Sequence, residues 1–371
     1  MQEIKLDYLF LGPAKPFRGG IAETQDYLAE EISSRGLKVE VWTFTKLYPQ
    51  ILFPGKSQFD KSKNQKNKFE SKRIIHAYNF FKWKSVAKRI NASKPKIVVF
   101  RYWTPLISPC WCYIKSKLDI SIKTVGLIDN WEHHEPKIWD KKLNTYFGNS
   151  MDMIVTFSEA VAAEIKKTIE KKILIGFHPV PYKNKFKILK PNNYSKTESN
   201  FVLFFGLVRK YKGLDTLIDS MKYNNNFKLL IVGEFYDNKK KYLNLIEKLN
   251  LKGRINIIDK FVGNREIINY FVKSKAVILP YKTASQSGVI SLSYLFEKPI
   301  VVSNLEGLRS YVEDDNSGVI FNNTSKDLAN AISIVLDKKN NYYYSRNIRK
   351  NKKKYTWNRF ANELVKFTFD T

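Results

Sequence analysis

Short apolar runs alternate along most of this chain with segments whose apolar residues repeat at helical spacing. Apolar runs of this kind indicate strands buried on both faces, and the helical repeat indicates helices packed along one side. Predicted strands cover residues 5–11, 39–44, 97–100, 123–128, 152–157, 172–177, 201–205, 228–232, 255–258, 276–280 and 299–303. Strict alternation of strand and helix predicts an α/β protein with parallel sheets wrapped by helices.

The length of 371 residues indicates two domains, because single cores rarely grow beyond about 250–300 residues. We place an N-terminal Rossmann-like domain at residues 1–185 and a C-terminal one at residues 186–355, with a polar linker around residues 181–200. The last segment, residues 356–371, is predicted to be a helix that returns to the first domain. Two doubly wound domains of this kind are expected to face a central cleft.

The formal net charge of +29, from 64 Lys and Arg against 35 Asp and Glu, favours anionic partners. These are nucleic acid, an acidic membrane face or phosphorylated small molecules. A composition rich in solvated lysines is the simpler alternative. No RNA-binding or helix-turn-helix signature accompanies the charge, so we expect no nucleic acid partner.

Residues 55–96 concentrate this charge, with thirteen Lys or Arg and two acids. The first half is polar and is predicted to be a loop. The second half interleaves Phe80, Phe81 and Trp83 with cations, a composition that suits an anionic bilayer surface. The alternative is a helix packed on the core with a solvated basic face.

The expected location is the cytoplasm, at most peripheral on the inner face of the cell membrane. Cys110 and Cys112 are the two cysteines, and their spacing suits neither a disulfide framework nor a metal site. Residues 1–11 open directly into a strand pattern without a signal-peptide pattern. The apolar stretch 97–114 contains Arg101 and two prolines, which argues against a membrane-spanning helix.

The first candidate site is an anion site after the strand 201–205. That strand ends at Gly206 and is followed by Arg209 and Lys212 just before a predicted helix at about Gly213. The N-terminus of a helix attracts anions, and an arginine can bind two phosphate oxygens at once. An ordinary strand-to-helix turn with solvated basic residues is the alternative.

Other backbone-rich segments are predicted to contribute to the same kind of site. Glycines and a polar loop leave backbone N–H groups open at strand ends and helix starts. The candidates are Gly19, Gly20, Gly233, Ser285, Gln286, Ser287 and Gly288. With two cations they could hold a diphosphate without a metal, and no acidic pair stands at a strand end to bind one.

The strand 123–128 leads into Asp129 to Pro136, which contains two of the four histidines. Titratable residues just past a strand end are where α/β sheets place their chemistry. Asp129 and His134 are therefore candidates for catalysis, against the alternative of a surface loop in which the histidines cap their neighbours.

The chain resembles glycosyltransferase family 4, the group 1 retaining enzymes of GT-B architecture that use nucleotide-sugar donors. The matching stretches are PFRGGIA (16–22), FFGLVRKYKGL (204–214), VGE (232–234), SQSGVISLSYLFEKPIVVSNLEGL (285–308) and EDDNSGVIF (313–321). The resemblance implies that Arg209 and Lys212 bind the donor phosphates. It also implies that Gly19 and Gly20 form the family's glycine loop, and it places Asp129 and His134 on the acceptor side.

The chain departs from the family pattern at three positions. Ser285 and Ser293 stand where many members carry two glutamates, one near the sugar and one near the ribose of the donor. The resemblance therefore implies that both serines lie in the donor site. Leu207 stands where an arginine is usual, and we assign that role to Arg209.

The resemblance implies transfer of a hexosyl unit from a nucleotide sugar to a hydroxyl of a glycan or lipid-linked acceptor. It further implies retention, no metal or other cofactor, and a role in cell-surface polysaccharide or glycolipid synthesis. A catalytically weak partner subunit is the main alternative. A nucleic-acid-binding protein is less favoured, as is a GT-B-type epimerase or phosphorylase, for which we identify no carboxylate set or cofactor lysine.

Overall fold

The structure is a computed structural model that describes residues 6–47, 58–59, 69–132, 137–186 and 201–370. Its contacts divide the chain into two compact units. The first contains Met1–Phe177 and Trp357–Thr371, and the second contains His178–Thr356. Two segments of the sequence predictions, the loop that contains His134 and most of the linker at 181–200, lie outside the described residues.

The first unit is built on a seven-stranded parallel sheet with the order β3-β2-β1-β4-β5-β6-β7. Its strands are β1 Tyr8–Leu11, β2 Val39–Lys46, β3 Glu70–His76, β4 Ile97–Tyr102, β5 Lys123–Ile128, β6 Met153–Thr156 and β7 Ile173–Ile175. Its helices are α1 Gly20–Ser33, α2 Phe80–Ser93, α3 Ser108–Lys115, α4 Asp140–Ser150, α5 Glu159–Lys166 and the last helix of the chain.

The last helix packs on the first unit, as the sequence predicts. Trp357 packs against Tyr27 of α1 with ring centroids 5.6 Å apart, and Phe369 meets Tyr8 of β1 edge-on at 5.7 Å. A β-carbon at Gly176 would lie 2.4 Å from the ring of Phe360. The aromatic face of this helix therefore closes one side of the first sheet.

The second unit is built on a six-stranded parallel sheet with the order β10-β9-β8-β11-β12-β13. Its strands are β8 Phe201–Phe205, β9 Lys228–Val232, β10 Ile255–Ile258, β11 Ser274–Leu279, β12 Ile300–Ser303 and β13 Gly318–Phe321. Its helices are α6 Leu214–Ser220, α7 Lys239–Lys248, α8 Asn264–Lys273, α9 Gly288–Leu295, α10 Glu306–Asp315, α11 Ser325–Leu336 and α12 Lys338–Asn351, and α13 Trp357–Phe369 is the helix that returns to the first unit.

Both faces of the second sheet are buried. Val202 and Phe204 of β8 pack into one core with α6 and α11, whereas Leu203 between them packs into another with α8 and α9. Successive side chains of a strand point to opposite faces, so a strand between two helical layers is apolar at every position. This explains why the apolar runs of the second half were readable as strands, all five predicted ones having bounds identical to the prediction or within two residues.

Two observed strands were not predicted from the sequence. Residues 70–76, expected to be loop, form the edge strand β3, which pairs with β2 through an irregular register. An edge strand is exposed on one side and carries polar residues; here Lys72 forms an ion pair with Glu40 of β2 at 3.0 Å. The short strand β13, at one edge of the second sheet, was also not predicted.

Among the helices of the described ranges, none combines the length and the apolar character needed to cross a bilayer.

Candidate functional site

The loop between β8 and α6 is shaped by two glycines. Gly206 has φ of +98° and Gly213 has φ of +66°, in the region that favours glycine. A β-carbon at Gly213 would lie 1.8 Å from the backbone oxygen of Pro280, just past the end of β11. The loop therefore packs directly on the neighbouring strand end. β8 and β11 flank the point where the strand order of this sheet reverses, where doubly wound sheets bind ligands.

Lys212 is a buried cation at this strand end. Its side chain is 9% exposed, and Nζ lies 3.1 Å from the place that a β-carbon of Gly206 would take. Nζ also lies 5.5 Å from the ring centroid of Tyr281. Burial, together with the nearby positive charge of Arg209, lowers the pKa of Lys212 to about 8. In the described part of the chain we find no carboxylate in an ion pair with Lys212.

Arg209 is exposed, and its guanidinium lies 5.3 Å from the ring centroid of Tyr236. The backbone between them is fixed: Val208 N donates to Glu234 O and Tyr236 N donates to Val208 O, both at 2.9 Å. The segment after β9 therefore runs beside the loop that carries both cations. An arginine over an aromatic ring keeps its N–H groups in plane and ready for an anion.

Gly233, predicted to bind the donor, has a packing role in this structure. Its φ is +153°, and a β-carbon there would lie 2.0 Å from the backbone oxygen of Gly206. The glycine thus lets the ends of β8 and β9 approach closely.

The N-terminus of α9 lies beside Lys212. Ser287 caps the helix, with its Oγ accepting from Val289 N at 3.3 Å. Tyr281, whose ring faces Lys212, has its hydroxyl 3.4 Å from the same Oγ. A β-carbon on Gly206 would lie 3.9 Å from a methyl group of Val289. One tyrosine therefore connects the cation to the capped end of the helix, and both present positive potential to one place.

The remaining predicted residues of this segment divide into two groups. Ser285, Gln286 and Gly288 lie in the loop and first turn of α9, and Ser285 O would be 2.2 Å from a β-carbon on Gly307 at the start of α10. Ser293 is fully buried, and its Oγ donates to Val289 O one turn earlier at 2.9 Å. The structure therefore places Ser293 inside the core, away from the surface on which the other residues lie.

His178 was missed by the sequence prediction. It follows β7 and lies over the start of α9, where its Nε2 would be 3.3 Å from a β-carbon on Gly288. Ser291 Oγ lies 3.1 Å from its Nδ1 and donates to its backbone oxygen at 2.9 Å. Its place just past a strand end is the signal that could have found it.

In the first unit, the predicted residues lie at the carboxyl ends of the strands. Gly19 has φ of +109° and precedes α1, and a β-carbon on Gly19 or Gly20 would meet no atom within 4 Å. Asp129 follows β5 and is buried against Arg101, with Oδ2 at 2.6 Å from Nε and Oδ1 at 2.5 Å from Nη2. Burial raises the pKa of Asp129, and the guanidinium of Arg101 opposes the rise.

The second unit therefore brings Arg209, Lys212, Gly233 and the segment 285–288 to one end of its sheet, and the first unit brings Gly19, Gly20 and Asp129 to the corresponding end of its own. His134 lies outside the described residues, and the ligand contacts of all these residues stay predictions.

Residues 185–355 match the model of the family described as glycosyl transferases group 1. This confirms the resemblance to group 1 over nearly the whole second unit. A relative from Methanocaldococcus jannaschii, an uncharacterized glycosyltransferase, is 26% identical over 215 residues. That match covers 57% of this chain and spans only 58% of the relative's length.

Solved structures share the fold across both units. A sucrose-phosphate synthase from Thermosynechococcus elongatus has a TM-score of 0.76 at 15% identity, with 98% of each chain covered. The Anabaena protein HepE, solved in complex with UDP-glucose, has a TM-score of 0.70 at 14% identity, covering 96% of this chain and 99% of its own. The predicted fold class, GT-B with two Rossmann-like units, is thereby confirmed.

Proposed function

We propose that this protein is a glycosyltransferase that moves a hexosyl unit from a nucleotide sugar to a hydroxyl of a glycan or lipid-linked acceptor. The observation that carries the proposal is Lys212: its side chain is buried, and the charged group that shifts its pKa is another cation, Arg209. A buried charge without an opposite partner is costly, and an anionic ligand removes the cost. The capped start of α9 adds a second positive element at the same place.

The proposed chemistry follows from where charge develops. The bond between the anomeric carbon and the donor phosphate oxygen breaks, and a bond from that carbon to the acceptor oxygen forms. The departing diphosphate gains negative charge, which Arg209, Lys212 and the N–H groups of α9 stabilise. The acceptor proton passes to the departing phosphate. We also propose that the configuration at the anomeric carbon is retained, because the chain resembles family 4, a group of retaining enzymes.

On the acceptor side, we propose that Asp129 and His134 orient the reacting hydroxyl. Arg101 holds the Asp129 carboxylate in a fixed position, and a fixed carboxylate can hold the reacting hydroxyl in one orientation.

The donor is proposed to be a UDP-sugar first, because HepE, which shares the fold, is solved with UDP-glucose. The test is a thermal-shift panel of UDP-, GDP- and ADP-glucose on the purified chain, followed by transfer and donor hydrolysis assays. A ligand selective for the folded state raises the melting temperature by mass action. No shift and no hydrolysis with any of a wide set of nucleotide sugars would overturn the proposal.

We propose that the reaction needs no metal, because basic residues and helix N–H groups replace it at the diphosphate. Adding Mg²⁺ or EDTA should then leave the rate nearly unchanged, and a reversible loss of activity in EDTA would show otherwise.

A catalytically weak partner subunit is the second candidate, favoured by Ser285 and Ser293 in place of the usual glutamates. Donor binding without hydrolysis or transfer by the purified chain would support it.

We also propose that α2 holds the protein against anionic lipid on the inner face of the cell membrane, in the cytoplasm. The rings of Phe80 and Phe81 contact each other at an angle of 36° with centroids 4.1 Å apart, and Phe81 is 79% exposed. Exposed cations surround them on the same helix: Lys82, Lys84, Lys88 and Arg89. Each cation near an anionic surface contributes about 1 kcal/mol, and exposed aromatic rings insert at the headgroup boundary.

Co-sedimentation with phosphatidylglycerol and phosphatidylcholine vesicles at low and high salt tests this surface. We expect salt-sensitive binding to the anionic vesicles alone. Phe81→Ser should weaken it, while Tyr342→Ser, which removes an aromatic of the second unit that is 70% exposed, should not. Equal binding to both vesicles, or none, would leave α2 without a membrane role.

A further inference from the structure

A buried polar cluster lies at the carboxyl end of the central strands of the first sheet. Gly12 follows β1, Arg101 is near the end of β4, and Asp129 follows β5. β1 and β4 flank the point where the strand order of this sheet reverses. Doubly wound sheets place their ligands at this point. The cluster also includes Gln25 of α1, a residue with no role in the proposed reaction so far.

Gln25 and Arg101 are buried, and each carries polar side-chain atoms that lack a hydrogen-bond partner within the described chain. Gln25 is 0% exposed, and within the described chain neither Oε1 nor Nε2 has a hydrogen-bond partner. Arg101 is 1% exposed; Nε and Nη2 bind Asp129, and Nη2 also donates to Thr24 Oγ1 at 2.9 Å. Its Nη1 has no partner in the same part of the chain. The cluster thus holds unsatisfied donors from two residues.

Gly12 brings these two side chains together. A β-carbon at this position would lie 2.6 Å from Gln25 Oε1 and 2.6 Å from Cβ of Arg101. Any other residue would push one of them away. The glycine at the end of β1 therefore leaves room for the Gln25 amide beside the first carbon of the Arg101 side chain.

Buried polar groups that lack partners lower the stability of a protein, and an apolar side chain of similar size would avoid this loss. We propose that Gln25 and Nη1 of Arg101 form a binding site for a neutral, hydroxyl-bearing ligand, a sugar ring. This inference rests on the proposed function, in which the sugar is the acceptor, and it makes Gln25 a residue that selects the acceptor.

The chemistry of the cluster favours hydroxyls over an anion. The Gln25 amide needs both a donor and an acceptor, and each hydroxyl is both. Asp129 already neutralises Arg101, so an added anion would leave an unpaired negative charge in the interior. The free atoms expose less than 1 Å² each, so binding includes a local opening. Gly19 and Gly20, at the start of the same helix, have open space around them.

The test compares the full chain with Gln25→Leu and Gln25→Met, using Glu30→Gln further along α1 as the control. Saturation-transfer NMR measures binding of methyl α-D-glucopyranoside, methyl α-D-mannopyranoside and methyl β-D-galactopyranoside, with inorganic phosphate as the anionic probe. Urea unfolding measures the stability of each variant. UDP-glucose hydrolysis is followed in parallel, because it depends on the second unit.

We expect at least one glycoside to bind the wild type and the control, and its signal to fall at least fivefold in both Gln25 variants. We expect their urea midpoints to stay equal to the wild type or rise. No glycoside binding to the wild type, unchanged binding in the variants, or tighter binding of phosphate than of any glycoside overturns the proposal. A large stability loss in both variants together with intact sugar binding also overturns the proposal. The Gln25 amide would then bind an internal water and not the sugar. Absence of UDP-glucose hydrolysis in the wild type, with glycoside binding and its loss in the variants as expected, would count against the proposed function and not against this site.

Discussion

Lys212 Nζ lies 3.1 Å from the position that a β-carbon on Gly206 would occupy. The glycine that ends β8 therefore makes the space into which the lysine folds back over the strand end. This cation is buried and has no carboxylate partner in the described chain, so its burial lowers the stability of the ligand-free protein. A buried cation without a carboxylate partner in the described chain is typical of an anion-binding site.

We expect Lys212→Met to raise the free energy of unfolding at pH 7 by about 1–3 kcal/mol in the absence of ligand. The methionine has a similar length and removes the desolvated charge. Urea unfolding measures the change, and UDP-glucose should no longer stabilise the variant. A less stable variant would indicate that the lysine has a structural partner.

The pH dependence should have two opposite signs. The folded pKa of about 8 lies below the ordinary value of 10.5, so the unfolded chain binds more protons between these two values. The stability of the free protein should therefore rise with pH across that window, and this rise should be absent in Lys212→Met. Donor affinity should instead fall above about pH 8, as Lys212 loses its charge. Calorimetric titration from pH 6.5 to 9.5 checks this, and a flat profile would contradict the role of Lys212.

Arg209→Ala should lower the transfer rate about thirtyfold to several-hundredfold, since one charge-assisted contact to the leaving group is worth roughly 2–4 kcal/mol in the barrier. The side chain is exposed, so the melting temperature should not change. The control is Lys210→Ala, which removes the neighbouring exposed cation. Equal activity of the two variants would remove Arg209 from the site.

Gly206→Ala should raise the donor KM at least tenfold, because its β-carbon displaces the Lys212 ammonium. The positive φ adds a backbone cost of about 1–2 kcal/mol. Gly36→Ala is the matched control: φ there is +81° and a β-carbon would meet no atom within 4 Å. Both variants should lose similar stability, and steady-state kinetics should show a KM change at position 206 alone.

Ser287→Ala should destabilise the protein by about 1 kcal/mol and also weaken donor binding, because the cap orients the first turn of α9. Thr324→Ala removes the equivalent cap of α11, where Oγ1 accepts from Asp327 N at 3.1 Å. It should cost similar stability and leave the donor Kd unchanged. Equal donor affinity in both variants would restrict Ser287 to a structural role.

The sequence by itself was sufficient for the alternation of strands and helices. The strands 123–128, 201–205 and 228–232 are found with unchanged bounds, because a strand covered on both faces is apolar along most of its length. Serine N-caps such as those at Ser158 and Ser287 are in principle equally readable from a sequence, since a cap is a local hydrogen bond to the next turn. The edge strand at 70–76 was not, because an edge needs no apolar pattern.

Only the tertiary structure decided what the candidate residues contact. Arg209 and Lys212 look alike in sequence, yet one is exposed and the other is buried, because Gly206 leaves space for Lys212 alone. Asp129 is held by Arg101, which lies 28 positions earlier in the chain. Ser293 lies in the core, and His178, which follows β7, contacts α9. Such contacts depend on how distant segments pack, and a pattern of neighbouring residues carries no information about them.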